Sequence, residues 1–206
     1  MSAATSEREP EPPHGRKRGP YSNGQQRRDE FINGALELFA QQGFQRLSLR
    51  KIAEGLGVSH AALSYYFPTK EDLLEAVFAA QAERERPLVA EGLAQRGLLD
   101  LAGDLIRTNE EIPGIIGLDV TILGEAHRPD HSAHDWARRR IDDTNEAIRR
   151  ELVLERDRGR LRPELDIDMT ARHITAMIRG LQLQWLYDRS IALDEHLNAY
   201  LDQLRA

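Results

Sequence analysis

The 206-residue sequence contains no cysteine, which excludes disulfide bonds and cysteine-ligated zinc sites. It also lacks an apolar run of about 18 residues, so no membrane-spanning helix is expected. The first 20 residues lack the apolar segment of a secretory signal peptide, and none is predicted there. These absences favour a protein of the reducing cytoplasm that makes no contact with a membrane.

Motifs that mark common enzyme classes are also missing. The sequence has no glycine-rich phosphate loop, no nucleophile elbow and no His-Glu-x-x-His pair. An enzyme would have to use residues 125–135, where His127, His131 and His134 stand among three carboxylates. Because this stretch lacks strict ligand spacing and Pro129 indicates a loop, a polar loop is favoured over a metal site. We therefore predict no catalytic residue, no metal and no cofactor.

Positive charge is scarce overall but unevenly distributed. The formal net charge is −6, yet residues 14–70 carry a local charge of +5 and residues 71–206 a charge of −9. A basic N-terminal part (the head) on an acidic remainder (the body) suggests that only the head binds phosphate groups. Chance clustering of solvated charge would give the same pattern. The basic segment 15–19 could be an arm that reaches DNA or a solubilising tail.

Apolar residues recur at helical spacing through most of the chain, and no stretch alternates as a strand would. Residues 1–24 contain four prolines and few large apolar side chains, so disorder is predicted there. Four helices are predicted in the first half: 27–42, a second from residue 49, 60–67, and a fourth opened by the capping-box sequence at 69–72. Five more follow, at 97–110, 113–126, 132–158, 168–188 and 194–204. The predicted class is all-α, with about nine helices.

Residues 48–67 form a helix-turn-helix pattern, with Gly57 at the turn and serines 48 and 59 at the N-cap positions. A helix that enters the major groove, about 12 Å wide, needs small or flat residues near its start. The second helix of the pair offers such residues: His60, Ala61, Ala62, Ser64 and Tyr65. A helical adaptor that uses this motif only for packing is the alternative, and salt-dependent binding to duplex DNA would distinguish the two.

A longer run of residues resembles the N-terminal domain of TetR-family repressors. The resemblance covers about residues 27–78 and is specific in order and spacing. It is carried by Gly43-Phe44, Leu49-Arg50-Lys51-Ile52-Ala53, Leu56-Gly57-Val58-Ser59, Leu63, and Tyr65 through Leu74. The sequence departs from the family pattern at Ser64, where tyrosine is usual, and at Tyr66, where histidine is frequent. The remainder resembles the family in length and helical layout, and residues 180–186 are similar to its penultimate helix.

The resemblance implies a DNA-binding repressor that works as a homodimer and holds a small molecule in its C-terminal half. Residues 25–70 would form the helix-turn-helix domain and residues 71–206 the ligand-binding and dimerisation domain. The family's phosphate and base contacts correspond to Ser48, Arg50, Ser59, His60, Ala62, Tyr65 and Lys70. We expect release from a near-palindromic operator when the effector binds.

Helical faces in the C-terminal half suggest a wall and anchors for a mostly apolar effector. The predicted wall residues are Leu101, Leu105, Trp136, Met177 and Trp185. The predicted polar anchors are Asn109, Arg140, His173 and Gln184. A second apolar stripe is predicted to form the dimer contact, through Ile174, Ile178, Leu181 and Trp185 with Leu197, Leu201 and Leu204. An ordinary core helix would show the same pattern over residues 168–188.

Overall fold

A computed structural model describes the backbone of residues 20–206 and the side chains of residues 24–206. This part of the chain contains nine helices and no strand, which confirms the predicted all-α class. The helices are α1 (Pro20–Gln42), α2 (Leu49–Gly55), α3 (His60–Tyr66), α4 (Lys70–Gln95), α5 (Leu98–Glu110), α6 (Pro113–Glu125), α7 (His134–Asp157), α8 (Ile167–Tyr187) and α9 (Leu193–Asp202).

The first helix begins earlier than the sequence indicates. Helix α1 starts at Pro20, whereas its apolar spacing predicts a start at Arg27, so residues 20–24 of the predicted arm are helical. The basic segment 15–19 lies outside the described residues. The division into domains at residues 70 and 71 remains a prediction, and α4 begins at that point.

The head, α1 to α3, folds around aromatic and aliphatic side chains supplied by each helix. Phe31 and Phe39 of α1, Ile52 of α2 and Leu63 of α3 are almost completely buried. Gly57 has a φ of +67°, as the tight turn before α3 requires, and only glycine adopts this conformation without strain. Gly57 therefore fixes the turn between α2 and α3, and the buried apolar side chains hold the three helices together.

Helix α4 connects the head with the body. Its start carries a complete capping box, in which Thr69 accepts from the Asp72 N–H and Asp72 accepts from the Thr69 N–H. The helix continues through Pro87 to Gln95. Because proline has no N–H, the carbonyl of Glu83 loses its usual helical partner at that point.

The body packs α5 against α9 and α7 against α8, while α6 lies between α8 and α1 of the head. One continuous apolar core runs through the head and the body. The chain's end is fixed to the rest, because Arg205 donates to the Leu99 carbonyl and pairs with Asp100. Among residues 20–206, no helix is both long enough and apolar enough to cross a membrane.

Candidate DNA-binding surface and effector cavity

The helix-turn-helix presents its two helix starts on an exposed surface. Ser48 Oγ accepts from the Lys51 N–H at 3.3 Å, and Ser59 Oγ accepts from the Ala62 N–H at 3.1 Å. Each hydroxyl therefore caps its helix through the oxygen and keeps its proton free to donate to a phosphate. The helix starts also direct a partial positive charge toward solvent.

The outer face of α3 gathers most of the predicted DNA-binding residues. His60, Ala61 and Tyr65 are exposed, and Tyr65 is 83% exposed although it is a large aromatic residue. Ser64 is half-buried, with its hydroxyl 3.3 Å from His60 Nε2. Ala62 is also half-buried, close to the head core. This face combines small side chains with one aromatic ring and suits insertion into a groove.

Two basic residues of the head differ in their surroundings. Arg50 is exposed and forms an (i, i+4) pair with Glu54 at 3.2 Å, a contact that water weakens and that a phosphate can replace. Lys70 is half-buried, and its ammonium donates to the carbonyls of Phe44 and Leu47 at 3.3 Å each. Burial lowers the pKa of Lys70, against the opposing effect of Glu71 and Glu125. Its ammonium also lies 4.1 Å from the centroid of the Phe44 ring, so Lys70 holds the segment between α1 and α2 in place.

Replacing Lys70 with alanine is expected to weaken both the head and its binding to DNA. Loss of two charge-assisted hydrogen bonds should lower the free energy of unfolding by about 1–2 kcal/mol. Loss of a phosphate contact should weaken binding to all DNA sequences and flatten the salt dependence by about one unit. Thermal unfolding and DNA titrations at several salt concentrations measure the two effects.

Lys51→Ala is the matched control, because it removes the same charge from an exposed position of the head. Its melting temperature should equal that of the unmodified protein. A folded Lys70→Ala variant with an unchanged salt slope would remove Lys70 from the phosphate contacts.

A cavity of about 660 Å³ lies in the body between α4, α5, α6, α7 and α8. Its apolar wall includes Phe78 and Trp136, whose ring centroids are 5.0 Å apart, and the isoleucines 115, 116 and 178. A volume of this size suits a small molecule.

Two arginines share one carboxylate in this cavity. Asp119 of α6 is 4% exposed, and its Oδ1 lies 2.5 Å from Arg140 Nε of α7. Arg179 of α8 pairs with the other carboxylate oxygen, Oδ2. Burial lowers the pKa of Arg140 and of Arg179 to about 10, so both remain protonated at neutral pH. The cluster carries one excess positive charge and connects three helices.

Arg140 also lies against the aromatic wall. Its guanidinium carbon is 4.1 Å from the Phe78 ring centroid and 5.7 Å from that of Trp136. Cation–π contact holds the guanidinium between the wall and Asp119.

Four of the nine predicted effector contacts line this cavity: Leu105, Asn109, Trp136 and Arg140. The structure does not bring the other five to it. Leu101 and Trp185 are buried in the core elsewhere, His173 and Gln184 are exposed, and Met177 is half-buried without lining the cavity. For the four residues of α8, the reason is the orientation of the helix, which turns Thr175, Ile178, Arg179 and Gln182 toward the cavity. Leu101 of α5 lies against Gly92 of α4 instead.

The predicted dimer stripe is wrong. Ile174, Leu181 and Trp185 of α8, with Leu197, Leu201 and Leu204 at the chain's end, are buried in the subunit's own core, and Ile178 faces the cavity. The opposite side of α8 exposes large apolar residues instead. Met169 is 55% exposed, Leu183 44% and Tyr187 88%. A groove formed by α6, α7 and α8 continues this surface past Ile141.

The histidine-rich segment 125–135 forms the connection between α6 and α7 beside the head. Nδ1 of His127 lies 2.7 Å from the Gly124 carbonyl, and Nδ1 of His134 lies 2.9 Å from the Ala126 carbonyl. His131 contacts Gln45 of the head. Within residues 20–206, no three acidic or histidine side chains converge as metal ligands would. The segment joins the body to the head.

Comparison with known proteins agrees with this geometry. The family model described as bacterial regulatory proteins, tetR family, matches residues 31–77, which span the helix-turn-helix. Residues 31–77 are therefore a TetR-type DNA-binding domain. The family model and the relatives, which are transcriptional regulators, support DNA-binding transcription regulation.

Relatives with curated names resemble most of this chain. The repressor AcnR of Corynebacterium diphtheriae is 28% identical over 158 residues, which cover 75% of this chain and 78% of the relative. The regulator UidR of Escherichia coli strain K12 is 23% identical over 161 residues, which cover 78% of this chain and 82% of UidR.

Solved structures share the fold. A TetR-family regulator from Rhodococcus sp. has a TM-score of 0.72 at 24% identity and covers 88% of this chain and 100% of its own. A regulator from Saccharomonospora viridis was solved in complex with choline. It has a TM-score of 0.67 at 20% identity, and the match covers 88% of this chain and 99% of the neighbour.

Several residues that line the cavity were not predicted from the sequence. They are Gln81, Asp119, Thr175, Arg179 and Gln182. A signal was present for Asp119, which is the only charged residue between Pro113 and Leu123 of a strongly apolar helix. An isolated charge on such a helix indicates a buried and paired group.

Proposed function

We propose that this TetR-family regulator is a repressor that binds a near-palindromic operator as a homodimer and is released by a small molecule in the cavity. The observation that carries the proposal is the position of α4. One end of this helix holds the head through Lys70, and its middle section forms the cavity wall through Phe78. A molecule that displaces that wall would displace the head.

A second connection runs through the segment between α6 and α7. Ser132 donates to Glu71 at 2.5 Å, and the His131 ring lies 6.3 Å from the Phe44 ring of the head. Helix α6 also packs on α1 and contributes Asp119 to the cavity. A change at Asp119 would therefore reach the head by two routes. A coupling of about 1–3 kcal/mol would change operator affinity by roughly 5–150-fold.

The dimer would form through the exposed side of α8, with Met169, Leu183 and Tyr187 at its centre. Large apolar residues on one helix face favour burial against a second copy. Two recognition helices about 34–36 Å apart would meet successive turns of the DNA, which explains the expected palindrome. A regulator of this kind would act on chromosomal DNA in the cytoplasm.

Tyr65 provides the test of DNA recognition. Because its side chain is exposed, Tyr65→Ala should leave the melting temperature unchanged. Operator affinity should fall about tenfold or more, since one recognition contact contributes about 1–3 kcal/mol. The operator is obtained by selecting bound fragments of the source genome, and affinity is measured by fluorescence anisotropy.

Tyr65→Phe is the matched control, since it keeps the ring and removes only the hydroxyl. An affinity between those of the unmodified protein and the alanine variant would assign part of the effect to a phosphate contact. Equal affinities for all three proteins would contradict the use of this face of α3.

A further inference from the structure

The polar end of the cavity contains more donors and acceptors than the protein itself satisfies. Oε1 of Gln81, Oε1 of Gln182 and Oγ1 of Thr175 are buried without a hydrogen-bond partner. Gln81 donates its amide to Glu85 at 2.6 Å, which leaves the carbonyl oxygen as the free atom. Each of these residues is at least nine-tenths buried, and all three line the cavity. Unpaired buried polar atoms are costly and are rare in folded proteins.

The charge at this end is unbalanced. Asp119 supplies one negative charge to the two guanidiniums of Arg140 and Arg179, and Nε of Arg179 is buried without a hydrogen-bond acceptor. Of the other acidic residues of the lining, Glu75 and Asp143 are exposed. Glu85 is half-buried, and its charge raises the pKa of Arg140 against the larger opposite effect of burial, so it balances part of the excess. The side chains of Arg140 and Arg179 are partly buried, with 32% and 23% exposed. An incompletely paired charge at such a position is unfavourable, so the polar end of the cavity favours one further anionic group.

We propose that the effector is a hydroxylated monocarboxylate with an apolar portion. Its carboxylate shares Arg140 and Arg179 with Asp119, its hydroxyl donates to Gln81, Gln182 or Thr175, and its apolar portion lies on Phe78 and Trp136. The inference rests on the proposed function, in which this cavity is the effector site. Asp119 then serves as the internal counter-ion of the two arginines, and the carboxylate of the effector competes with it for them.

The class is tested with three acids of increasing apolar size, namely acetate, lactate and mandelate, at millimolar concentration and constant ionic strength. Lactamide and mandelamide are the neutral matches, phenylacetate lacks the hydroxyl, and phenethylamine is the cationic match. Binding is measured without DNA, from thermal stabilisation and from the fluorescence of Trp136 in a Trp185→Phe variant. Trp185 does not line the cavity, so its removal leaves a single reporter.

Mandelate is expected to bind best, phenylacetate more weakly, and mandelamide about tenfold more weakly or worse, because charge-assisted hydrogen bonds are roughly twice as strong as neutral ones. A folded Arg179→Gln variant should lose the preference for the acid over the amide. Arg139→Gln, at an exposed position of the lining, should keep it. Should Arg179→Gln fail to fold, Asp119→Asn serves instead and should bind mandelate more tightly, since the competing carboxylate is gone.

Equal binding of acid and amide, tighter binding of phenethylamine, or no response to any of the acids would overturn the proposed class. Operator release is measured separately. Acids that bind but leave the DNA complex intact would support the class and contradict the proposed release mechanism. Release by neutral or cationic compounds alone would support the mechanism and contradict the class.

Discussion

Leu183→Glu is expected to give a folded monomer that no longer holds its operator. The side chain is 44% exposed on α8, so glutamate at this position remains solvated in the isolated subunit. In the proposed dimer it would place a charge inside an apolar contact, which is strongly unfavourable. Operator affinity should fall about a hundredfold or more, because the two heads no longer bind as a linked pair. Analytical ultracentrifugation and DNA titration measure the two outcomes.

Leu181→Glu is the control for this experiment, two residues away on the same helix. Leu181 is 9% exposed and lies in the subunit's own core. Glutamate there should unfold the body or lower its melting temperature strongly, irrespective of assembly. A Leu183→Glu protein that sediments as a dimer at micromolar concentration would show that another surface makes the dimer.

Glu155→Gln should lower the free energy of unfolding by about 2–3 kcal/mol, because it removes the charge of a fully buried carboxylate and leaves Arg160 only its longer contact with Asp100 at 3.5 Å. Oε1 of Glu155 accepts from the Leu98 N–H at 2.9 Å and from Arg160 at 2.6 Å. The first of these bonds caps α5, whose own N-cap residue is Gly97 and has no side chain to offer. For a protein of this size the melting temperature should fall by about 4–10 °C in a calorimetric scan.

Asp157→Asn is the comparison for Glu155. Asp157 lies 3.8 Å from Arg156 at the end of α7, and both side chains are exposed. Surface pairs of this kind contribute about 0–1 kcal/mol, so the melting temperature should hardly change. A similar fall in the melting temperature of both variants would mean that the buried carboxylate of Glu155 has no special role in fixing α5 to α7.

The helix-turn-helix was predictable because its information is local. The caps at serines 48 and 59 and the turn at Gly57 follow from neighbouring residues, and the structure contains all three. Position 70 was less predictable. Its lysine contacts carbonyls more than 20 residues earlier in the chain, and no local pattern indicates such a contact.

The orientation of α8 could not be derived from its sequence. The helix has apolar residues on more than one side, and periodicity identifies such sides without saying which of them faces the partner. Packing of α8 on α7 and α9 buries Ile174, Leu181 and Trp185 in the subunit core. Only the tertiary arrangement leaves Leu183 and Tyr187 for a second copy.

The charged cluster of the cavity could not be predicted from the sequence for a similar reason. Asp119, Arg140 and Arg179 are far apart in the sequence and belong to three helices. Each residue alone is compatible with a solvated surface. Their convergence depends on how α6, α7 and α8 pack, and it changes the expected effector from a mostly apolar molecule to one with an acidic group.

Pro87 marks the point at which α4 leaves the cavity. The cavity residues of this helix end at Glu85, just before the proline, whereas Val89 and Leu93 pack toward α5 and α7. At about 1.5 Å per residue, the segment from Lys70 to Pro87 measures about 25 Å. A tilt of about 5° at the proline would then move Lys70, and the head that it holds, by about 2 Å. Base-edge hydrogen bonds tolerate only a few tenths of an ångström, so in the proposed mechanism a rotation of this size would break them and release the operator.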